Sequence, residues 1–532
     1  MKIATDDRGP DRVDYLLALA AGICALAAYV RTLAPDVLYG DSAEFQTLPY
    51  TLGMPHSTGY PVYLLLARLL GFLPLGTPAW RVNLLSAVGA AVTVGGVYLL
   101  ARHLRAGRAG ALLGSIVLGL SYAFWAQAVI AEVYTPALAF LTVITLLLWR
   151  WQDAPLPNRW ALCYAALLGG LGLGVHAFVG LVAPAAVGLV VWTLWSRCQG
   201  WPERWRCLRV GLVGLALGVG ACFLAFLLLD LNNPPTSFYQ VALIPSRSAW
   251  NLRITDLDSP FERLWLTILG RQWQDAMFPG GVSLQWEGLK DYGGRLLTQQ
   301  FSPLALFCAL VGLVVALRAA PALGGFVVAA LLTMLFFILN YEPPDKPIFF
   351  LPTYVLVAVT AGNGAGFVLG RVYRGLVARA GWGRLLYLAV VVLLGGLMAR
   401  PFGPSRWHAL RAGAATFVQE HYPYPLADLS EPRRVASERL AQLPNGAVLI
   451  ADWRALYTTY YLAHVERERT DVRLMEAAPH GSGGLLADSL VQELESLLQS
   501  GYPVYADRVY GNLREHFRLR PVPGSDLLRL SQ

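Results

Sequence analysis

Residues 14–45 read "DYLLALAAGICALAAYVRTLAPDVLYGDSAEF", and this stretch decides the fold. Its first part is an almost unbroken apolar run of about twenty residues, the length that one helix needs to cross a bilayer. The run is too long for the core of a secretory signal and lacks a clear cleavage site. An N-terminus of mixed acids and bases precedes it, so it reads as an uncleaved first span. Asp41 and Glu44 then stand close to the hydrocarbon boundary, where an ionised side chain pairs, faces water or does chemistry.

The rest of the chain repeats the apolar pattern. Runs near residues 80–101, 109–129, 133–150, 160–176, 178–196, 210–231, 302–318, 322–340, 349–370 and 384–400 bring the expectation to about eleven transmembrane helices. The segment 60–75 is also apolar, but its shortness, Pro61 and Pro74 predict an interfacial or re-entrant helix. Hydrophobic residues make up 56% of the 532 and charged ones 14%. Soluble domains carry about 25% charged residues, so several soluble cores are excluded. Trp and Tyr, 16 and 24 in number, are enough to line two membrane–water interfaces.

The net charge of +8 does not signal nucleic acid, because no dense Lys/Arg run exists and the arginines sit in short connections. Arg102, Arg105 and Arg108, then Arg150 and Arg159, then Arg197, Arg204, Arg206 and Arg209, then Arg371, Arg374, Arg379 and Arg384 all fall on one side of the predicted spans. The positive-inside rule makes that side cytoplasmic. The opening acids, Glu132, His176, the segment 232–301 and the loop "YEPPDK" at 341–346 then face outward, as does everything after residue 400. The six cysteines form no CxxC and imply neither a zinc site nor a disulfide framework.

The tail differs in kind. "GAVLIAD", "DVRLMEA" and "YPVYAD" read as strands, whereas "RALYTTYYLAHVERE" and "GLLADSLVQELESLLQSG" have helical period. This alternation predicts a C-terminal α/β domain with a mostly parallel sheet, without GxGxxG or P-loop. The expected fold is thus an α-helical polytopic membrane protein carrying an extracytoplasmic α/β domain. The expected domains are 1–400, with outer segments at 34–79 and 232–301, and 401–532.

Several polar groups converge on the outer side. Asp41 and Glu44 lie three apart, on one face of a helix; the same spacing also fits a helix start capped by Asp41 with Glu44 near N3. "MPHSTGYPVY" supplies His56 and Tyr60, and "WAQAVIAEVYTP" supplies Glu132 and Tyr134. "LGLGVHAFVG" brings His176, "LGRQWQD" brings Arg271 and Gln272, and "NYEPPDK" brings Tyr341, Asp345 and Lys346. Such a set suits chemistry in which a carboxylate takes a proton from a hydroxyl and cations hold a leaving phosphate.

The motif "DSAEF" after the first span, with "GMPHSTGYPVY", resembles a family of bacterial and eukaryotic multispanning proteins. That family includes the plexin-modifying vertebrate protein O-mannosyltransferase. The resemblance continues through "WAQAVIAEVYT", the His176 segment, "GRQ" at 270–272, "FFLPTY" and "LPNGAVLIADWRALYTTYYLAHVERERTDVRLM". Ala43 stands where many members carry glycine. The family is similar to the GT-C glycosyltransferases, which use polyprenyl-phosphate sugars. The resemblance implies inverting transfer of a sugar, such as mannose, to an extracytoplasmic protein or glycan hydroxyl. Asp41 would be the general base, assisted by Glu44. His56, Tyr60, Glu132, Tyr134 and His176 match motif positions, and Arg271 is the candidate for the lipid phosphate by charge and location.

No cofactor and no metal are expected, and the expected partners are the donor lipid, the acceptor and the bilayer. The expected location is a bacterial inner membrane, with the site facing the periplasm or exterior. The alternative is a transporter or flippase, in which acids and a histidine form a proton-coupled gate. Against it, the polar groups sit at one end rather than at the midplane, and no repeat is visible. A sensor whose outer domain binds a ligand would leave the acidic first loop unexplained.

Overall fold

The computed structural model describes residues 9–377, 382–400, 403–467, 469–480 and 482–532. Arg379 of the charge argument and the expected start of the tail domain, 401–402, lie outside the described residues.

Each apolar run forms a helix or half of a bent pair. Among the described residues, seven helices are long and apolar enough to cross a membrane, and the number rises to ten if each bent pair is one span. The remaining run, Arg159–Leu173, makes a helix of 15 residues that ends at Gly174, shorter than a full crossing requires. The expectation of about eleven spans therefore resolves into up to ten spans and one short apolar helix. Pro61–Leu70 is a helix of 10 residues with Pro at its first position, too short to cross.

One bend has consequences for the outer side. Arg108–Leu120 and Tyr122–Ala128 meet at 67°, because Ser121 is extended and interrupts the hydrogen-bond ladder. Beyond it, the irregular stretch to Val133 carries Glu132. Helices elsewhere approach closely through small residues. A Cβ on Gly364 would lie 1.9 Å from the Cys308 carbonyl oxygen, and one on Gly312 would lie 1.9 Å from that of Thr360. Glycine lets Pro303–Ala319 and Leu351–Val377 touch backbone to backbone.

At the opposite end, Asp14 is buried against the helix Pro78–His103. It accepts from Arg102 Nε at 3.0 Å and from Tyr98 Oη at 2.9 Å. These charge-assisted bonds fix the first helix against the second span.

The tail builds a sheet of five strands in the order β2-β1-β3-β5-β4. They are β1 (Val448–Ala451), β2 (Arg473–Glu476), β3 (Val504–Ala506), β4 (Arg518–Pro521) and β5 (Leu528–Ser531). The three expected strands pair in parallel, and the antiparallel pair β4–β5 extends the edge. Helices Trp453–Tyr460 and Asp488–Gln499 supply the crossovers.

This unit packs directly on the first outer loop. Thr458 Oγ1 donates to the Leu38 carbonyl at 2.7 Å, and Tyr422 Oη donates to that of Tyr39 at 2.5 Å. Arg433 binds Asp36 and Glu466 together. Tyr457 Oη reaches the Thr236 carbonyl at 2.9 Å.

Candidate active site

The Gly40–Thr51 helix begins without a side-chain cap, so Asp41 is not the capping residue its spacing allowed. Gln46 holds the loop before it by accepting from Leu38 N at 2.9 Å and donating to Asn83 Oδ1 at 2.8 Å. Asn83 in turn donates to the Ala34 carbonyl at 2.9 Å. The helix start is thereby tied to the Pro78–His103 span. Asp41 Oδ1 accepts from the indole Nε1 of Trp453 at 2.5 Å.

Glu44 lies one turn on and is fully buried. Its carboxylate accepts from the His56 backbone N–H at 2.9 Å and sits 2.5 Å from His56 Nδ1. Burial alone would push His56 down, but the charge and hydrogen bond of Glu44, with the charges of Asp41 and Asp345, together outweigh it and carry the imidazole up to about 9. His56 is therefore cationic at neutral pH, with Nε2 left for another partner, 3.5 Å from Tyr60 Oη.

Asp41, His56, Tyr60, Glu132, Tyr134, His176, Gln272, Tyr341 and Asp345 all line one cavity of about 880 Å³. Glu44 lies behind this wall. Ser86 holds Glu132 by bonding its backbone N–H and carbonyl, at 3.2 and 3.0 Å. Burial pushes the Glu132 and Asp345 carboxyls above their usual range. Tyr134 Oη donates to Asp345. His176 Nδ1 accepts from Phe178 N at 3.1 Å, which leaves the proton on Nε2. Burial, with His56 nearby, lowers His176 to about 3, so it stays neutral. Its ring stacks on Tyr60 at 5.7 Å between ring centres and 17° between planes.

The loops 271–278 and 340–345 are joined by backbone bonds, Phe278 N to the Asn340 carbonyl at 2.7 Å and Glu342 N to that of Ala276 at 2.9 Å. Arg271 and Lys346 stand apart from the cavity wall. Arg271 donates to Gln274 Oε1 at 2.9 Å and to the Trp250 carbonyl at 3.2 Å. Lys346 pairs with Glu342 and lines a separate, smaller pocket. Among the described residues, the large wall holds no lysine or arginine, which leaves His56 as its cation. No three His, Cys, Asp or Glu side chains among the described residues converge as metal ligands.

The tail unit contributes wall residues that the sequence reading did not single out: Tyr422, Tyr424, Trp453, Glu476 and His480. Trp453 follows β1 by two residues and Glu476 ends β2. The carboxyl ends of parallel strands are where α/β folds carry their ligands, and the strand pattern of "GAVLIADW" and "RLME" held that signal.

Comparison with known proteins agrees with this architecture. Residues 41–199 match the family model described as the protein O-mannosyl-transferase TMEM260 N-terminal domain. The protein O-mannosyl-transferase TMEM260 of Mus musculus is 32% identical over 148 residues, 27% of this chain and 21% of that relative. The matched part thus spans about a fifth of the relative's length. ArnT from Cupriavidus metallidurans, solved bound to undecaprenyl phosphate, aligns over 98% of both chains with a TM-score of 0.57 and 13% identity. Its apo structure aligns over 97% of both chains with a TM-score of 0.54 and 14% identity. The resemblance read from "DSAEF" and "GMPHSTGYPVY" thus holds at two levels: residues 41–199 match a TMEM260-type N-terminal domain, and the whole chain has the ArnT fold.

Proposed function

We propose that this chain is an integral membrane glycosyltransferase that moves a sugar from a polyprenyl-phosphate donor to an acceptor hydroxyl, with inversion and with Asp41 as general base. The observation that carries the reading is that one wall holds both Asp41 and His56, whose Nδ1 lies 2.5 Å from the buried Glu44 carboxylate. One Asp41 oxygen is engaged by an indole N–H that cannot compete for a proton. The other carboxylate oxygen has no hydrogen-bond partner among the described residues. The bound undecaprenyl phosphate of ArnT and the O-mannosyl-transferase name of the mouse relative support the same reading.

In this mechanism Asp41 removes the acceptor's hydroxyl proton as the oxygen attacks the anomeric carbon. The bond from that carbon to the phosphate oxygen breaks, and its electron pair leaves with the polyprenyl phosphate. His56 Nε2–H faces the developing phosphate charge, and Tyr60, whose hydroxyl donates to the Ser57 carbonyl at 3.1 Å, packs beside it. Glu44 keeps His56 protonated and oriented. Glu132, Tyr134, His176, Gln272, Tyr341 and Asp345 form the rest of the substrate wall. The acceptor is a protein Ser/Thr or a glycan, and mannose is the leading sugar. Residues 1–400 form the membrane unit, residues 401–532 an outer unit that closes the site, and the cavity faces the periplasm of a bacterial inner membrane.

The test uses purified protein with a panel of polyprenyl-phosphate sugars, following sugar transfer and slow donor hydrolysis. Asp41→Asn lowers turnover at least about a hundredfold, as loss of a general base does. A folded Asp41→Asn variant of undiminished activity removes the base assignment. Vectorial movement of a lipid-linked sugar in vesicles without bond cleavage would favour the flippase instead.

A further inference from the structure

We propose that Glu476, delivered by the tail unit, is a substrate-binding residue that hydrogen-bonds a neutral hydroxyl of the sugar or of the acceptor. The proposal rests on the glycosyl-transfer reading and names a contact within the same cavity.

Glu476 is the last residue of β2, is 5% exposed, and lies on the cavity wall. Asp41 and Asp345 on the same wall are engaged by Trp453 and Tyr134. The Glu476 carboxyl has no hydrogen-bond partner among the described residues, and the wall offers no lysine or arginine to pair with it. The carboxyl is thus committed to no protein group and faces the cavity, where a ligand group can complete its bonding.

The charges around it decide which group that is. Burial raises the carboxyl to about 8; Glu44, Asp41 and Asp452 push the same way, and His56 opposes them. At pH 7 the side chain is therefore a neutral acid with one O–H donor and a carbonyl acceptor. That pair matches a hydroxyl, which also both donates and accepts. A cationic ligand would instead draw the carboxyl into its ionised form.

The Glu476→Gln and Glu476→Ala variants of the full chain separate these cases. Gln keeps a donor and an acceptor but never carries charge. Donor binding is read by quenching of the wall tryptophans Trp250, Trp273 and Trp453 on titration with undecaprenyl-phosphate mannose. Acceptor use is read as KM for a Ser/Thr peptide. Glu476→Ala weakens one of these about tenfold, the loss of one or two hydrogen bonds, and Glu476→Gln stays within about threefold of wild type. A change in donor affinity places the hydroxyl on the sugar, and a change in peptide KM alone places it on the acceptor. Wild-type affinity falls as pH rises through about 8, whereas Glu476→Gln shows no such loss.

The proposal is overturned if Gln loses as much as Ala, because charge is then the useful property. It is equally overturned if neither variant changes donor affinity or peptide KM, or if wild type engages neither ligand. Monodisperse gel filtration of Glu476→Gln guards against misfolding. Donor binding by wild type without transfer or hydrolysis would sink the transferase reading while leaving the Glu476 comparison readable.

Discussion

Asp41 and Trp453 are 412 positions apart in the chain, yet one hydrogen bond joins the proposed base to the tail unit. The indole N–H orients the carboxylate without titrating, so it is a positioning group. Trp453→Phe keeps an aromatic ring and removes the donor together with the five-membered half of the indole. The expected result is a fall in kcat of about tenfold to a hundredfold, the worth of a hydrogen bond to a charged group, with donor KM unchanged. The double variant with Asp41→Asn should be no slower than Asp41→Asn alone, because the two act as one unit. Additive losses would mean that Trp453 acts elsewhere. His56 gives a second prediction at this scale. Its value is raised from 6.5 to about 9, so the stability that His56 contributes is fully present below pH 6.5 and is lost as pH rises through about 9, while burial raises the Glu44 carboxyl beside it. Activity and unfolding temperature should both decline across that interval, and His56→Gln should weaken the pH dependence of the unfolding temperature there, leaving the part carried by Glu476 near pH 8.

Elements were legible where one local pattern decides them. Apolar runs of spanning length became helices, and "VLIA", "RLME" and "VYA" became strands. The bend at Ser121 was not legible, because an ordinary serine adopts an extended conformation there through packing rather than propensity. The strands β4 and β5, "RLRP" and "LRLS", are four residues each and lie outside any apolar run, so they form by pairing with each other and, through β5, with β3. The site followed the same division. His56, Tyr60 and Glu132 announced themselves as polar residues beside apolar runs, whereas nothing local singled out Glu476 at the end of "RLME" until the fold carried β2 to the cavity. The helix contacts offer a test at this scale. Gly364→Ala would place a methyl 1.9 Å from the Cys308 carbonyl oxygen, while Gly370, on the same helix, has open space around it. Gly364→Ala should destabilise by about 1–3 kcal/mol, the usual cost of overpacking, read as a lower unfolding temperature. Gly370→Ala should be neutral or slightly stabilising, since alanine is the better helix former. Equal effects would show that backbone contact at Gly364 does not limit packing.

The whole molecule is polarised. The arginines at 102–108, 150–159, 197–209 and 371–374 sit at one end of the helices, and the cavity and tail unit sit at the other. The positive-inside rule turns that polarity into an orientation, and orientation decides where the reaction happens. A polyprenyl-phosphate sugar is anchored by its lipid, so only the leaflet that the cavity opens to can supply it. Cysteine labelling reads this directly. Cys24 is exposed and the other five native cysteines are buried, so a Cys24→Ala background suits a membrane-impermeant maleimide. Glu438→Cys, on the outer unit, and Arg206→Cys, in an arginine-rich connection, are both exposed positions. In intact spheroplasts Glu438→Cys should label at once and Arg206→Cys only after the membrane is opened. The reverse pattern would put Asp41, His56 and Glu476 in the cytoplasm, and the donor would then have to be drawn from the inner leaflet. Labelling of both positions in sealed spheroplasts would mean an odd number of crossings between residues 206 and 438 cannot hold. That outcome would mean that one of the apolar segments counted between them, such as the bent pair 282–319, does not cross.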